Sequence, residues 1–131
     1  MKYILDTHIL LWTLLEPSKL SKNIINIYEQ ADEIQVCNIN FWEISLKYKL
    51  GKLSLNGYQP EDLLQAARDS YFKIINIDAK ITSSVYHLPL KKHKDPFDRL
   101  LFWYAIQNKI PLISRDTRIN EYEAEGLVIV K

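Results

Sequence analysis

A single cysteine and three glycines among 131 residues remove several chemistries at the outset. One cysteine allows no internal disulfide and no structural zinc spacing; Cys37, in the apolar run IQVCNI, reads as a small core residue rather than a reactive thiol. So few glycines, with no G-x-G-x-x-G or Walker-A stretch, exclude a glycine loop that cradles phosphate. The three histidines, His8, His87 and His93, lack a serine or cysteine partner in a recognisable nucleophile context. No apolar run approaches the ~20 residues of a membrane span. The start, MKYILDTH, meets an aspartate after three apolar residues, too soon for a signal-peptide core. A soluble protein of the reducing cytoplasm, with no membrane partner, is the expectation. Net charge is only +1, so a polyanion would have to be held by local clusters rather than a global basic field.

What is present is ordinary globular material, 47% hydrophobic and 25% charged. The length suits one domain spanning 1–131, and no repeat, linker or low-complexity segment divides it. Short runs rich in Ile, Val and Leu (YIL 3–5, EIQVCN 33–38, FKIINI 72–77, PLIS 111–114 and LVIV 127–130) have strand character. Helical segments lie between them. Ser21 caps a stretch with Ile24, Ile27 and Tyr28 on one face. Ile39, Trp42, Leu46 and Leu50 form a stripe that ends at a C-cap glycine, Gly51; Pro60 and Asp78 open two more helices. Alternation of this kind, with short connections, predicts an α/β domain with a mainly parallel sheet flanked by helices.

In such sheets ligands bind beyond the carboxyl ends of the strands. Acids recur there: Asp6 after the first run, Asn38, Asn40 and then Glu43 after the second, Asp78 after the third, Asp116 after the fourth. Asp98, in HKDPFDR, opens the helix that leads to the fourth strand. Each acid has a structural reading. Asp6, Asp78, Asp95 and Asp116 are natural N-caps, and Asp98 in a first turn meets the helix dipole for ~0.3–1 kcal/mol. Glu43 can pair with Lys47 one turn later. Gathered on one rim, however, these carboxylates repel one another, and a hard divalent cation such as Mg²⁺ or Mn²⁺ relieves that cost. Metal-assisted phosphodiester hydrolysis thereby becomes possible. A phosphatase with Asp6 as phosphoacceptor is the rival, although the second aspartate it wants two residues on is His8, a residue better suited to support than to act as base.

Four stretches, LDTHILLW, NFWEISLKYKLGKL, LPLKKHKDPFDRLLFWYA and LISRDTRI, in this order and spacing, closely resemble the PIN domains of VapC-like toxins. The resemblance covers nearly the whole chain. It implies a three-layer α/β sandwich around a five-stranded sheet of order 3-2-1-4-5. It further implies a ribonuclease that uses Mg²⁺ or Mn²⁺, acts on RNA, and is held inactive by a cognate antitoxin protein. By the same likeness Asp6, Glu43, Asp98 and Asp116 match the catalytic acids. Asp6, Asp98 and Asp116 would hold metal, with Glu43 acting through water. Thr7 and Ser114 match supporting hydroxyl residues. Asn38 and Asn40 stand where many relatives carry Ser or Thr; their amides can still hydrogen-bond a carboxylate or water. Asp78 falls beyond the edge strand and is left as a plain cap. The alternative is a PIN-like module that binds RNA or protein without cutting.

For RNA phosphate the candidates are Arg99, Arg115, Lys92 and Lys94, which flank the proposed ligands, against ordinary solvated surface for the lysines. The helix after Phe97 is apolar all round and must be covered on more than one side. Leu101, Tyr104 and Ala105 suit the sheet, leaving Phe102 and Trp103 to neighbouring helices or to a second subunit; the resemblance favours a homodimer. Trp12, with Leu11, Leu14 and Leu15, suits the core or an antitoxin groove.

Overall fold

The computed structural model describes residues 1–131. Its strands are β1 (Lys2–Leu5), β2 (Glu33–Cys37), β3 (Lys73–Ile75), β4 (Leu112–Ile113) and β5 (Ile129–Val130). Between them run α1 (Thr7–Leu15), α2 (Lys22–Gln30), α3 (Asn38–Lys49), α4 (Pro60–Asp69), α5 (Ala79–Ser84) and α6 (Pro96–Asn108), with a long 3-10 segment, Thr117–Glu125, before β5. All pairings are parallel and the order is β3-β2-β1-β4-β5, as the resemblance implied. The chain winds outward from β1 through β2 to β3, then crosses back to β4. The switch point therefore lies between β1 and β4, where ligands are expected in open parallel sheets.

Strand residues alternate between two cores because successive side chains point to opposite faces. Ile4, Cys37 and Leu112 enter one core with Leu101, Phe102 and Ala105 of α6, whereas Leu5, Val36 and Ile113 enter the other with Ile9, Ile24 and Leu63 of α1, α2 and α4. Helices thus cover both faces. Cys37 is a fully buried core residue, and burial pushes its thiol up to about 11. No helix is long and apolar enough to cross a membrane.

The capping chemistry follows the sequence closely. Ser21 Oγ accepts from Ile24 N, Asp78 Oδ1 from Ile81 N, and Asp95 Oδ1 from Phe97 N and Asp98 N. Gly51, at φ +72°, ends α3 in a Schellman turn: Gly51 N donates to Tyr48 O and Lys52 N to Lys47 O. The left-handed backbone needed there is one glycine adopts without strain. Phe102 is corrected relative to the second-subunit alternative. It is fully buried against Tyr122, with ring centroids 5.2 Å apart. Trp103 is covered on one side by α5, its indole N–H donating to Ser84 Oγ at 2.9 Å.

Candidate active site

Parallel pairing of β1 with β4 fixes the start of the site. Asp6 N donates to Ile113 O, so Asp6 and the residues following β4 leave the sheet side by side. Ser114, fully buried, joins them: its hydroxyl donates to Asp6 Oδ2 at 2.8 Å and accepts from Asp116 N at 3.1 Å. Asp6 Oδ1 takes the backbone N–H of Thr7 at 2.7 Å. His8 lies 3.4 Å from Asp6 Oδ2 through Nδ1, and its Nε2 accepts from Arg115 N. The latter bond leaves the proton on Nδ1, facing the carboxylate, so His8 orients Asp6.

Glu43 is held from two sides. Thr7 Oγ1 donates to Glu43 Oε1 at 2.7 Å, and Lys47 Nζ reaches Oε2 at 2.6 Å. The Thr7 hydroxyl accepts from Asn40 Nδ2, whose Oδ1 takes Cys37 N. A buried chain of hydrogen bonds therefore runs from the end of β2 through Asn40 and Thr7 to Glu43. The amide at position 40 is thus hydrogen-bonded within the chain that ends on Glu43. Asn38 is not: its Oδ1 accepts from Ile77 N and ties α3 to the end of β3, away from Glu43.

Asp98 enters from the first turn of α6, with His93 Nε2 at 2.5 Å from its Oδ2. The loop carrying His93 is itself clamped, since His93 N donates to Glu121 and its carbonyl accepts from the Tyr122 hydroxyl. Arg99, expected at a phosphate, belongs to this clamp. Its guanidinium donates to the carbonyls of Leu88 and Pro89 and to Tyr122 Oη, which turns it away from the acids. Arg115, Lys92 and Lys94 are exposed and lie outside the cavity.

Asp6, Glu43, Asp98 and Asp116 line one cavity of about 470 Å³, together with Thr7, His8, Lys47, Lys52, His93, Asp95 and Arg118. Asp78 lines a separate one, as its edge position requires. Electrostatics divides the acids. Burial raises Asp6, with Glu43 adding to the effect and His8 and Ser114 opposing it. Burial and the charge of Asp6 push Asp98 up to about 7, against the His93 hydrogen bond. Asp116 is lowered because Arg118 hydrogen-bonds it. No three of these acids and imidazoles are drawn into one ready ligand cluster. Each instead holds its own partner: Ser114 on Asp6, Lys47 on Glu43, His93 on Asp98, Arg118 on Asp116. The donor set is nonetheless hard oxygen, with two carboxyls raised by burial and by neighbouring acids, and it fits a divalent cation of the Mg²⁺ or Mn²⁺ type.

The sequence does not single out Arg118 as a site residue, and it offers His93 only as a histidine without a nucleophile partner. The D-x-R spacing of Asp116 and Arg118 was the available signal, since a side chain two residues past a cap can return to it.

An open parallel sheet with carboxylates converging at its switch point defines a class of acidic-pocket α/β proteins. Within that class, the PIN domain family model matches residues 3–125. The chain belongs to the PIN domain family. Among curated proteins it is 27% identical over 119 residues to ribonuclease VapC22 of Mycobacterium tuberculosis, covering 91% of this chain and 90% of that one. Among solved structures it resembles VapBC2 from Rickettsia felis bound to a promoter DNA fragment, with a TM-score of 0.71, 21% identity, and coverage of 99% of this chain and 98% of that one. DNA-bound VapBC from Salmonella typhimurium gives 0.65 at 17% identity, covering 99% and 97%.

Proposed function

We propose that the protein is a metal-dependent ribonuclease, the toxin component of a toxin–antitoxin pair, hydrolysing RNA phosphodiester bonds in the cavity beyond the carboxyl ends of β1 and β4. The observation that carries this reading is the convergence of Asp6, Glu43, Asp98 and Asp116, from four separate stretches of chain, on one cavity rimmed by Lys47, Lys52 and Arg118. Family membership and the ribonuclease relative support the same chemistry.

Asp6, Asp98 and Asp116 would hold Mg²⁺ or Mn²⁺, and Glu43 would contact it through water. When bound, such an ion supplies a lowered pKa for water and neutralises charge developing on phosphate oxygens. The chain's own groups set the geometry. Ser114 and His8 orient Asp6, the Asn40–Thr7 chain fixes Glu43, and the clamped loop holds His93 against Asp98. Lys47 and Lys52 bring positive charge to a strand of phosphates that the acids alone would repel.

The solved relatives are VapBC assemblies, and an antitoxin partner is part of the proposal. A groove of about 420 Å³ between α1 and α4, with Leu14, Leu15, Tyr58, Leu63 and Ala66 beside Asp62, Gln65 and Asp69, suits an amphipathic segment of that partner. A homodimer would use the exposed Trp42 and Leu46 of α3 and the Leu50 that follows it rather than the buried Phe102.

Purified protein incubated with total cellular RNA tests the activity. Discrete cleavage is expected with Mn²⁺ or Mg²⁺ and none with EDTA. Mn²⁺ binding without cleavage of any RNA would favour the binding-module alternative.

The acid pair also predicts a pH response. Asp98 rises from the ordinary 3.8 to about 7, so the folded state holds this proton more tightly than the unfolded chain. Its contribution is therefore full below the lower value and is lost as pH rises through the upper one. Without divalent ions, Tm should fall between about pH 4 and about pH 7 and level off above that, and Mn²⁺ should restore most at the alkaline end. A flat Tm across that window in EDTA would contradict it.

A further inference from the structure

Arg118 is the only arginine lining the acidic cavity, and its placement is unlike that of the other two cations there. Lys47 is anchored on a buried carboxylate. Arg118 lies folded over Asp116, its Nε 3.0 Å from Oδ1 and 3.2 Å from Oδ2, and a terminal nitrogen 2.8 Å from Oδ2, yet its side chain is 73% exposed. With Asp116 17% exposed but the guanidinium open to water, the arginine side of the pair is free to exchange. The same fork geometry that matches a carboxylate matches a phosphate. Leaving costs Asp116 little of its orientation, because the backbone N–H of Arg118 independently donates to Oδ1 at 2.9 Å and Ser114 holds the Asp116 backbone N–H.

We infer that Arg118 is a substrate-positioning residue that rests on Asp116 in the free protein and transfers to an RNA phosphate when a divalent ion takes the carboxylate. This rests on the ribonuclease reading above. It assigns to Arg118 the phosphate contact that the sequence suggested for Arg99 and Arg115. The guanidinium thus competes with the ion for Asp116 and cooperates with it in holding RNA, so its removal must move the two affinities in opposite directions.

The test compares the parent protein with Arg118→Ala and Arg118→Lys. Mn²⁺ affinity is measured by calorimetry without RNA. RNA affinity is measured with a fluorescent single-stranded oligonucleotide of mixed sequence, Ca²⁺ replacing Mn²⁺ so that the strand stays whole. For Arg118→Ala, Mn²⁺ should bind about threefold tighter. The oligonucleotide should bind about tenfold weaker, with partial recovery in Arg118→Lys. Weaker or unchanged Mn²⁺ binding in Arg118→Ala would overturn the inference and make the residue a mere buttress of Asp116. Unchanged RNA affinity would overturn it as well. If the parent itself bound neither Mn²⁺ nor RNA, the ribonuclease reading would fall first and the inference with it.

Discussion

Asp98→Asn should abolish RNA cleavage while leaving the protein folded and no less stable. The substitution keeps the shape of the side chain and an oxygen for His93, and Asp95 still caps α6 through Phe97 N and Asp98 N. It removes one negative charge from a place where burial and Asp6 already push the carboxyl up to about 7. At pH 8 the parent must keep that carboxylate ionised against both effects, whereas the amide does not. The loss of the favourable helix-dipole contact, ~0.3–1 kcal/mol, works the other way but is smaller than the relief expected at a buried, like-charged position. Activity moves oppositely. A metal ion contributes several kcal/mol of charge stabilisation in the transition state, so under the proposed role of Asp98 as a ligand its loss should lower kcat by at least about a hundredfold. Cleavage assays beside thermal melts at pH 8 give both signs in one set of samples. A variant that cuts as the parent does would remove Asp98 from the site. One that is inactive because it melts far below the parent would show that the carboxylate is a structural cap and that the functional assignment lacks support.

The second large effect concerns the core that carries the site. Phe102→Ala should destabilise the protein by about 3–5 kcal/mol, the usual cost of emptying a fully buried phenylalanine position. Phe102 is completely enclosed and packs on Tyr122, whose hydroxyl closes the clamp on the His93 loop. The void would therefore open beneath the loop that orients His93 on Asp98. Part of any lost activity should return at low temperature, where the folded fraction recovers. Trp42→Ala is the contrasting case: 58% exposed, it should change monomer stability far less. Chemical denaturation followed by tryptophan fluorescence for Phe102→Ala, and by circular dichroism for both, measures this. If Phe102 instead served a subunit contact, its substitution would change the oligomeric state and leave monomer stability near that of the parent.

Arg99 shows how a correct local rule can miss its target. Next to a proposed ligand, an arginine looks poised for phosphate, but residues 88 and 89 fold back over the start of α6 and offer it two carbonyl oxygens and a tyrosine hydroxyl. Asn38 and Asn40 show the same limit. They are two residues apart in one helix start, so nothing in their composition separates them. Only the position of Thr7 on one side and of Ile77 on the other decides that Asn40 supports Glu43 and Asn38 does not.

By itself the sequence determined whatever depends on a few neighbouring residues. Alternating apolar side chains placed the strands, serine and aspartate caps placed the helix starts, and Gly51 placed the end of α3. The order of acids after successive strands made a shared edge legible too, once parallel pairing was inferred. Tertiary structure alone decided which distant hydroxyls reach those acids. Thr7 meets Glu43 across 36 residues, and Ser114 meets Asp6 across 108, because β1 lies between β2 and β4. It also decided that Arg118 rather than Arg99 faces the cavity. The reason is physical: caps and periodicity act over one helical turn or one strand repeat, whereas charges and hydroxyls pair with whatever the sheet order brings within ~3 Å.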